Sequence, residues 1–497
     1  MAIRIRENEV TVKYAENIGK GQLAAECVID ASSGGVGKVY CVSGDCVVKS
    51  VQAQDKAVQV VCEVSTRVIY ADGSGALASA DYVTAIDRTL AVEGATAQMR
   101  VIARASVSDI RHEIVGQTIK VQTVTDLDFE GDCEYTVSLI EEAEGAITRE
   151  CEQELMLLKG GGSDSFVVTE EFESGCKIGK ILDYGAQVGI GSWRAEEGGV
   201  YVEGEVWIRL VYDDDGICSK QFSHPFAEEL MIGGACADDV VTINAAVQSV
   251  SILVTGSEEE NVVQMDVTVG AEVNLFEKSV IKAVTDVFSP SAEIDVVRAE
   301  KQFAVPVGSR YVSKRICANA ESESESPIRR CLAAIPSGVS GNVFCSDGKL
   351  VAEGVAAVCE IYEKEDGEIS SVCVEIPFSF TSELKEDADL VRASMTVSDI
   401  VSRVRRESEI EVCVSLSVSA DLYENRKLCG ITHMEIGQEK AAELCGISVY
   451  TVEEGETLWD VAKAVCLSEK EIIAQNEGVE KGLRAGERIT VFRCMEE

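Results

Sequence analysis

No run of eighteen apolar residues occurs in this 497-residue chain, so no membrane-spanning helix is predicted. The opening residues, MAIRIRENEV, contain no apolar stretch of the kind found in a secretory leader. The chain is therefore expected to be made and kept inside a cell. Histidine is scarce. His112, His224 and His433 are the only three, far apart in sequence. No C-x-x-C pair occurs either. Metal ligands usually come in pairs at short spacing, so no metal site is expected. Neither G-x-S-x-G nor a glycine-rich phosphate loop is present, and with no nucleophile, base or phosphate cradle to point to, no catalytic residue and no cofactor is expected. The many carboxylates leave room for an acid/base pair, but nothing singles one out. Basic residues are outnumbered, 45 against 86 acidic, for a net charge of −41. A polyanion repels this surface, which excludes nucleic acid as a partner. An acidic surface keeps a chain soluble and steers it toward basic partners.

Cysteine, by contrast, is plentiful. There are nineteen, scattered, with Cys41 and Cys46 the closest pair. Many lie in apolar strand-like runs, as Cys373 does in SSVCVEIPF. They are expected to act as small buried hydrophobes in a reducing compartment. Oxidative crosslinking within an assembled structure is the alternative.

The 46% hydrophobic content is arranged as a repeat of domain size. DLDFE, VNLFE and ADLYE place Phe129, Phe276 and Tyr423 each 147 residues from the next. A strand ending in tyrosine and followed by an acidic, glycine-containing turn recurs at Tyr70, Tyr212 and Tyr362. VSDI appears at 107–110 and again at 397–400. The period is too long for a solenoid unit and long enough for a separate core in each copy. Three modules, 1–145, 146–290 and 291–440, are thus expected to fold as separate units, followed by a small unit at 447–495.

Within the modules the dominant period is two. VYVEGEVWIRLVY (200–212) alternates apolar and polar residues as a half-buried strand does. Its acidic turn and the following CSKQFSHPF read as a hairpin. IKVQTVTDLDF and IEVCVSLSVSADLY alternate likewise. The expected fold class is mainly β: three tandem β-rich, sandwich- or barrel-like modules with short linking helices. One such helix is placed at 147–159, where Ile147, Cys151, Leu155 and Leu158 share a helical face. KGGGSDS (159–165) reads as a flexible linker, ESESES (321–326) as a disordered loop, and GQEKAAELCG (437–446) as a short helix stopped by glycine.

The C-terminal unit is more explicit. VYTV is a short strand and EEG a turn. Thr457 with Asp460, and Ser468 with Glu471, form capping boxes at the starts of two helices. Leu458, Val461, Ala462 and Val465 line one helical face, and GLRAGERITVFR supplies a closing strand. The order is β-α-α-β in about 45 residues, near the lower limit for an independent domain. Tyr450, Val452, Gly455, Thr457, Leu458, Asn476, Leu483, Gly486 and Ile489 give the pattern by which this unit closely resembles a LysM domain. Glu456 stands where that family usually has Asp, and Glu477 where Pro often follows the Asn. The resemblance implies a binding groove for N-acetylglucosamine glycans or a partner. One side is Gly455, Glu456, Thr457 and Leu458; the other is Asn476, Glu477, Gly478 and Val479. Tyr450, Leu458 and Ile489 are expected in the core, and Trp459 at a partly exposed position where it stacks on a sugar or fills a protein interface.

KIGKILDYGAQVGIGSWRAEEGGVYVEGEVWIRLVYDDDG (177–216) resembles the SPOCS domain of sporulation and spore-coat proteins. Tandem copies followed by one LysM unit resemble the SipL-like coat morphogenetic family. That resemblance implies a non-enzymatic scaffold in the mother-cell cytoplasm, at the surface of the developing forespore. Its implied partners are the SpoIVA-like ATPase of the coat basement layer and other coat proteins. The alternative is a peptidoglycan-binding, cell-wall-associated protein. Three modules and a docking unit on one chain raise effective concentration, so weak contacts sum.

Overall fold

A computed structural model describes residues 3–493, except 31–34, 174–177, 257–260, 323–325 and 441–445. Strands dominate, as the alternating patterns predict. The first repeat contains β1 (Arg4–Asp30), β2 (Val36–Gln54), β3 (Ala57–Asp72), β4 (Leu77–Ala91), β5 (Val101–Val115) and β6 (Thr118–Glu144). The second contains β7 (Ile147–Glu173), β8 (Lys180–Glu196), β9 (Gly199–Asp213), β10 (Ile217–Leu230), β11 (Val240–Gly256) and β12 (Asn261–Phe288). The third contains β13 (Ala292–Glu321), β14 (Ile328–Ser346), β15 (Lys349–Lys364), β16 (Ile369–Glu383), β17 (Leu390–Arg406) and β18 (Glu409–Glu439). The C-terminal unit is β19 (Gly446–Thr451), α1 (Leu458–Val465), α2 (Glu469–Gln475), a 3₁₀ turn (Val479–Lys481) and β20 (Arg488–Arg493).

Each repeat builds the same two antiparallel sheets. In the first they run β1-β6-β5 and β2-β3-β4; in the second β11-β12-β7 and β10-β9-β8; in the third β13-β18-β17 and β14-β15-β16. The two sheets of a repeat enclose an apolar core, for example Val200, Val206, Ile208 and Leu210 against Val263, Val267, Val269 and Val273 in the second. The hairpin predicted after Tyr212 is there: Asp213 faces Ile217 across the acidic turn, where Asp215 is left-handed at φ 48°.

The first and last strands of each repeat run on past the sandwich as a two-stranded arm. β1 and β6 stay paired out to Arg4 and Glu144, β7 and β12 to Ile147 and Phe288, β13 and β18 to Ala292 and Glu439. These arms pack on one another. Val12, Tyr14 and Leu139 of the first meet Leu155 and Ile281 of the second and Phe303, Val305 and Leu428 of the third. Further along, Ile140, Val287 and Met434 share a second cluster, and these three again lie 147 residues apart. At the opposite end, Ile69, Val211 and Ile361, each the residue before a marker tyrosine, meet in a third. The expectation of three separately folded modules is corrected here. Each repeat has its own sandwich core, but equivalent residues of all three also build common cores.

Polar nodes fix the same junctions. Glu130 of the first repeat, 2% exposed, accepts from Asn274 of the second (2.8 Å) and pairs with Arg392 of the third (2.7 Å) and with Arg104 (3.1 Å). Asp183, 1% exposed, accepts from Ser43 (2.7 Å) and Arg67 (3.1 Å) of the first repeat and from Arg209 (2.8 Å). Burial pushes the Asp183 carboxyl up, but Arg209, Arg67 and Ser43 outweigh it and hold it below its ordinary value.

The linking helix expected at 147–159 is instead the outer half of β7. Ile147, Cys151 and Leu155 are spaced by four, which satisfies a period of two as well as 3.6. Pairing with β12 along this whole stretch decides for the strand. KGGGSDS is no linker either but lies within β7. A Cβ on Gly161 would stand 2.2 Å from Val273 O and 2.6 Å from Arg100 Nη1, so close packing and not flexibility requires that glycine. Half of the helix expected at 437–446, and the centre of ESESES, lie outside the described residues. Gly437 to Glu439 still belong to β18. The cysteines split. Cys317 and Cys413, directly opposed on β13 and β18, form a disulfide, which corrects the all-reduced expectation. Cys27, Cys41, Cys62 and Cys359 are buried free thiols, while Cys151 and Cys373 are exposed.

Candidate functional site

The C-terminal unit positions its loops through its helix caps. Thr457 is the N-cap of α1: its hydroxyl accepts from Asp460 N (3.3 Å), and its own N–H donates to Asp460 Oδ2 (2.8 Å). Ser468 and Glu471 repeat the arrangement at α2. Both capping boxes are therefore as predicted. Gly455, at φ +88°, makes the turn before Thr457 that a side chain would strain. Glu456 braces the same turn. Its carboxylate accepts from the Tyr450 hydroxyl (2.6 Å) and Glu453 N (2.7 Å), and the first bond pushes the Tyr450 phenol up to about 12.

The other loop is organised by Asn476. Its side chain donates to Thr490 O (2.8 Å) and Ile472 O (3.0 Å) and accepts from Thr490 N (2.8 Å). Gln475 does the same at Phe492, accepting from N (2.8 Å) and donating to O (3.2 Å). These two side chains close the outer edge of β20. Gly478 turns the chain at φ +91° into the 3₁₀ turn.

Of the sequence-predicted site residues, Gly455, Thr457, Glu477 and Gly478 are exposed, and Glu456, Leu458 and Asn476 half-buried. Val479 is buried in one core with Val452, Val461, Ile472 and Ile489, against which Leu458 and Tyr450 also pack. Trp459 departs most from expectation. It is 4% exposed. Its indole stands edge-on to Phe288 of β12, with ring centroids 5.3 Å apart, and its Nε1 donates to Asp286 Oδ2 (2.9 Å). Lys463 donates to both Asp286 oxygens at 2.9 Å. Burial pushes the Asp286 carboxyl up, but Trp459, Lys463 and the Val287 amide outweigh it and hold it low. Trp459 therefore fills an interface within the chain, seating the unit on the arm of the second repeat.

Asp286, Phe288, Lys463 and Gln475 were not legible as functional residues. Asp286 and Phe288 end a long alternating run with nothing local to mark them. Gln475 had a signal: it adjoins Asn476 at the helix end. Among the described residues, no group of His, Cys, Asp and Glu is arranged to hold a metal ion, and no helix is long and apolar enough to cross a membrane. Two small cavities lie at repeat junctions. One, of about 20 Å³, is lined by Arg104, Trp193, Arg392 and Asp421 and has room for a single water.

Compared with known protein families, residues 177–255 match the SipL, SPOCS domain, and residues 450–492 match the LysM domain. Comparison with curated proteins gave no match, and neither did comparison with solved structures. The SPOCS match runs over β8 to β11 of the second repeat, while the first and third repeats carry the same sheet order. Both are the domain types that the sequence resemblance led us to expect. Both are binding rather than catalytic types, and together they fit a sporulation-related scaffold able to bind peptidoglycan.

Proposed function

We propose that this chain is a non-enzymatic scaffold of spore coat assembly. It acts in the mother-cell cytoplasm at the forespore surface and docks through its LysM unit to the SpoIVA-like basement-layer ATPase. One observation carries the choice of a protein over a sugar. The side chains of the unit best suited to a sugar, the Trp459 indole and the Asn476 amide, are both spent inside the chain. Sugar rings are held by aromatic stacking and by free amides and hydroxyls. The loops instead offer Gly455, Gly478 and the Glu477 carboxylate to a partner. The shared cores support a scaffold role, because a rigid body presents several surfaces in fixed relation.

The second reading, a peptidoglycan-binding protein, is favoured by the LysM match itself. Incubating the full chain with insoluble peptidoglycan, and separately with the polymerised ATPase, tests the choice. Retention on the polymer and not on glycan is expected; retention on glycan alone overturns it.

A further inference from the structure

The outer edge of β19 is used by no strand of the described chain. Opposed residues in an antiparallel pair alternate between exchanging both backbone bonds and exchanging none. Val452 N donates to Glu487 O (2.9 Å). From there the register runs unbroken from Thr451↔Arg488 to Ile447↔Phe492. Tyr450 and Ser448 are thus bonded to β20, whereas Thr451, Val449 and Ile447 turn their N–H and C=O groups outward. The same alternation turns Thr490 and Phe492 outward on the far side, where Asn476 and Gln475 bond them. One edge of the sheet is closed and the other is open.

The open edge is also apolar. Ile447 is 70% exposed, Val449 58% and Phe492, opposite Ile447, 45%. Edge strands are normally protected by bulges, prolines or charge, and elsewhere in this chain they are. β5, β11 and β17 carry register shifts, and β10 and β16 carry Pro225 and Pro377. GISVYT, the whole of β19, has no proline, no charge and no shift.

We propose that the outer edge of β19 takes up an extended segment of a partner polypeptide as a third strand. Outward N–H and C=O groups at every second residue are complementary to another extended backbone, and Ile447 and Val449 to its alternate apolar side chains. A net charge of −41 opposes a second copy of this chain as occupant. Exposed Glu453 and Glu454, just past the strand, select a segment with a basic residue at that end. This inference rests on the docking-scaffold reading and names the surface that docks.

Residue-resolved amide exchange on the full chain tests it, with and without a synthetic peptide of alternating Val and Thr with a Lys at each end. In the chain alone, the amides of Ile447, Val449 and Thr451 should exchange fast and those of Ser448 and Tyr450 slowly. The peptide should slow the first three. Val449→Pro, which deletes an outward donor, should weaken peptide binding about tenfold, while Val449→Thr, which keeps it, should not. Slow exchange at all five without peptide means the chain fills its own edge, and protection that grows with protein concentration means a second copy does; either overturns the proposal, as does exchange unchanged by millimolar peptide. The readout is exchange at β19, so the ATPase-retention experiment can fail while this one succeeds, and the reverse.

Discussion

The indole N–H of Trp459 donates to the Asp286 carboxylate across 173 residues of sequence, at 2.9 Å. With Lys463 on the same carboxylate and Phe288 against the ring, this joins the C-terminal unit to the arm of the second repeat. A small domain near the lower size limit gains a larger core by such seating.

Asp286→Ala should loosen that joint. It leaves a buried indole N–H without its acceptor, a loss of about 1–3 kcal/mol. In a Trp193→Phe, Trp207→Phe background, where Trp459 is the one tryptophan left, emission should shift to the red. Emission unchanged from the parent would show that the apolar packing of Phe288 and Ile147 holds the unit without Asp286.

Asn476→Ala removes three bonds to Thr490 and Ile472. It should destabilise the C-terminal unit by about 1–3 kcal/mol while leaving the repeats intact. Denaturant unfolding followed by Trp459 emission in the same Trp193→Phe, Trp207→Phe background, against far-ultraviolet dichroism for the strands, separates the two. An asparagine devoted to ligand binding would give no loss of stability.

How much of this was legible in the sequence depended on range. The 147-residue period and the alternation in VYVEGEVWIRLVY are local or self-similar signals, and they led to β-rich repeats. The capping boxes of Thr457 and Ser468 were readable because each is closed within four residues. Ile147, Cys151 and Leu155 misled because a spacing of four fits both periods, and only the partner strand β12 decides. That Ile140, Val287 and Met434 meet in one core was implicit in their spacing. Spacing reports equivalence, however, and says nothing of contact. Trp459 was read as an available aromatic because Phe288 and Asp286 lie far upstream.

Asp183→Ala should uncouple the first and second repeats. The substitution leaves Arg209, whose side chain is 12% exposed, without its carboxylate, and leaves Arg67, at 7%, with Asp45 as its remaining acid partner. Removing one partner of a buried pair costs about 3–5 kcal/mol. Calorimetry should show a lowered and broadened transition. An unaltered melt would mean that the apolar clusters alone hold the junction.

Asp421 sets a pH dependence. Burial pushes its carboxyl up to about 8, with Glu130 adding to the rise and Arg104 and Arg392 opposing it. A raised carboxyl is neutral in the folded chain and ionised in the unfolded one, so folding takes up a proton. This contribution is intact below the ordinary value of 3.8 and is lost as pH climbs toward about 8. Asp421→Asn should therefore melt higher than the parent near pH 8 and show a smaller gain near pH 4. A gain independent of pH would show that Asp421 is ionised in the fold.

The most direct test of the scaffold account is competition on the assembled partner. The full chain is bound to the polymerised basement-layer ATPase and challenged with soluble N-acetylglucosamine oligomers. The account predicts that the chain stays bound at every oligomer concentration. Displacement by the oligomers, or no binding to the polymer while the oligomers bind the chain, would contradict it.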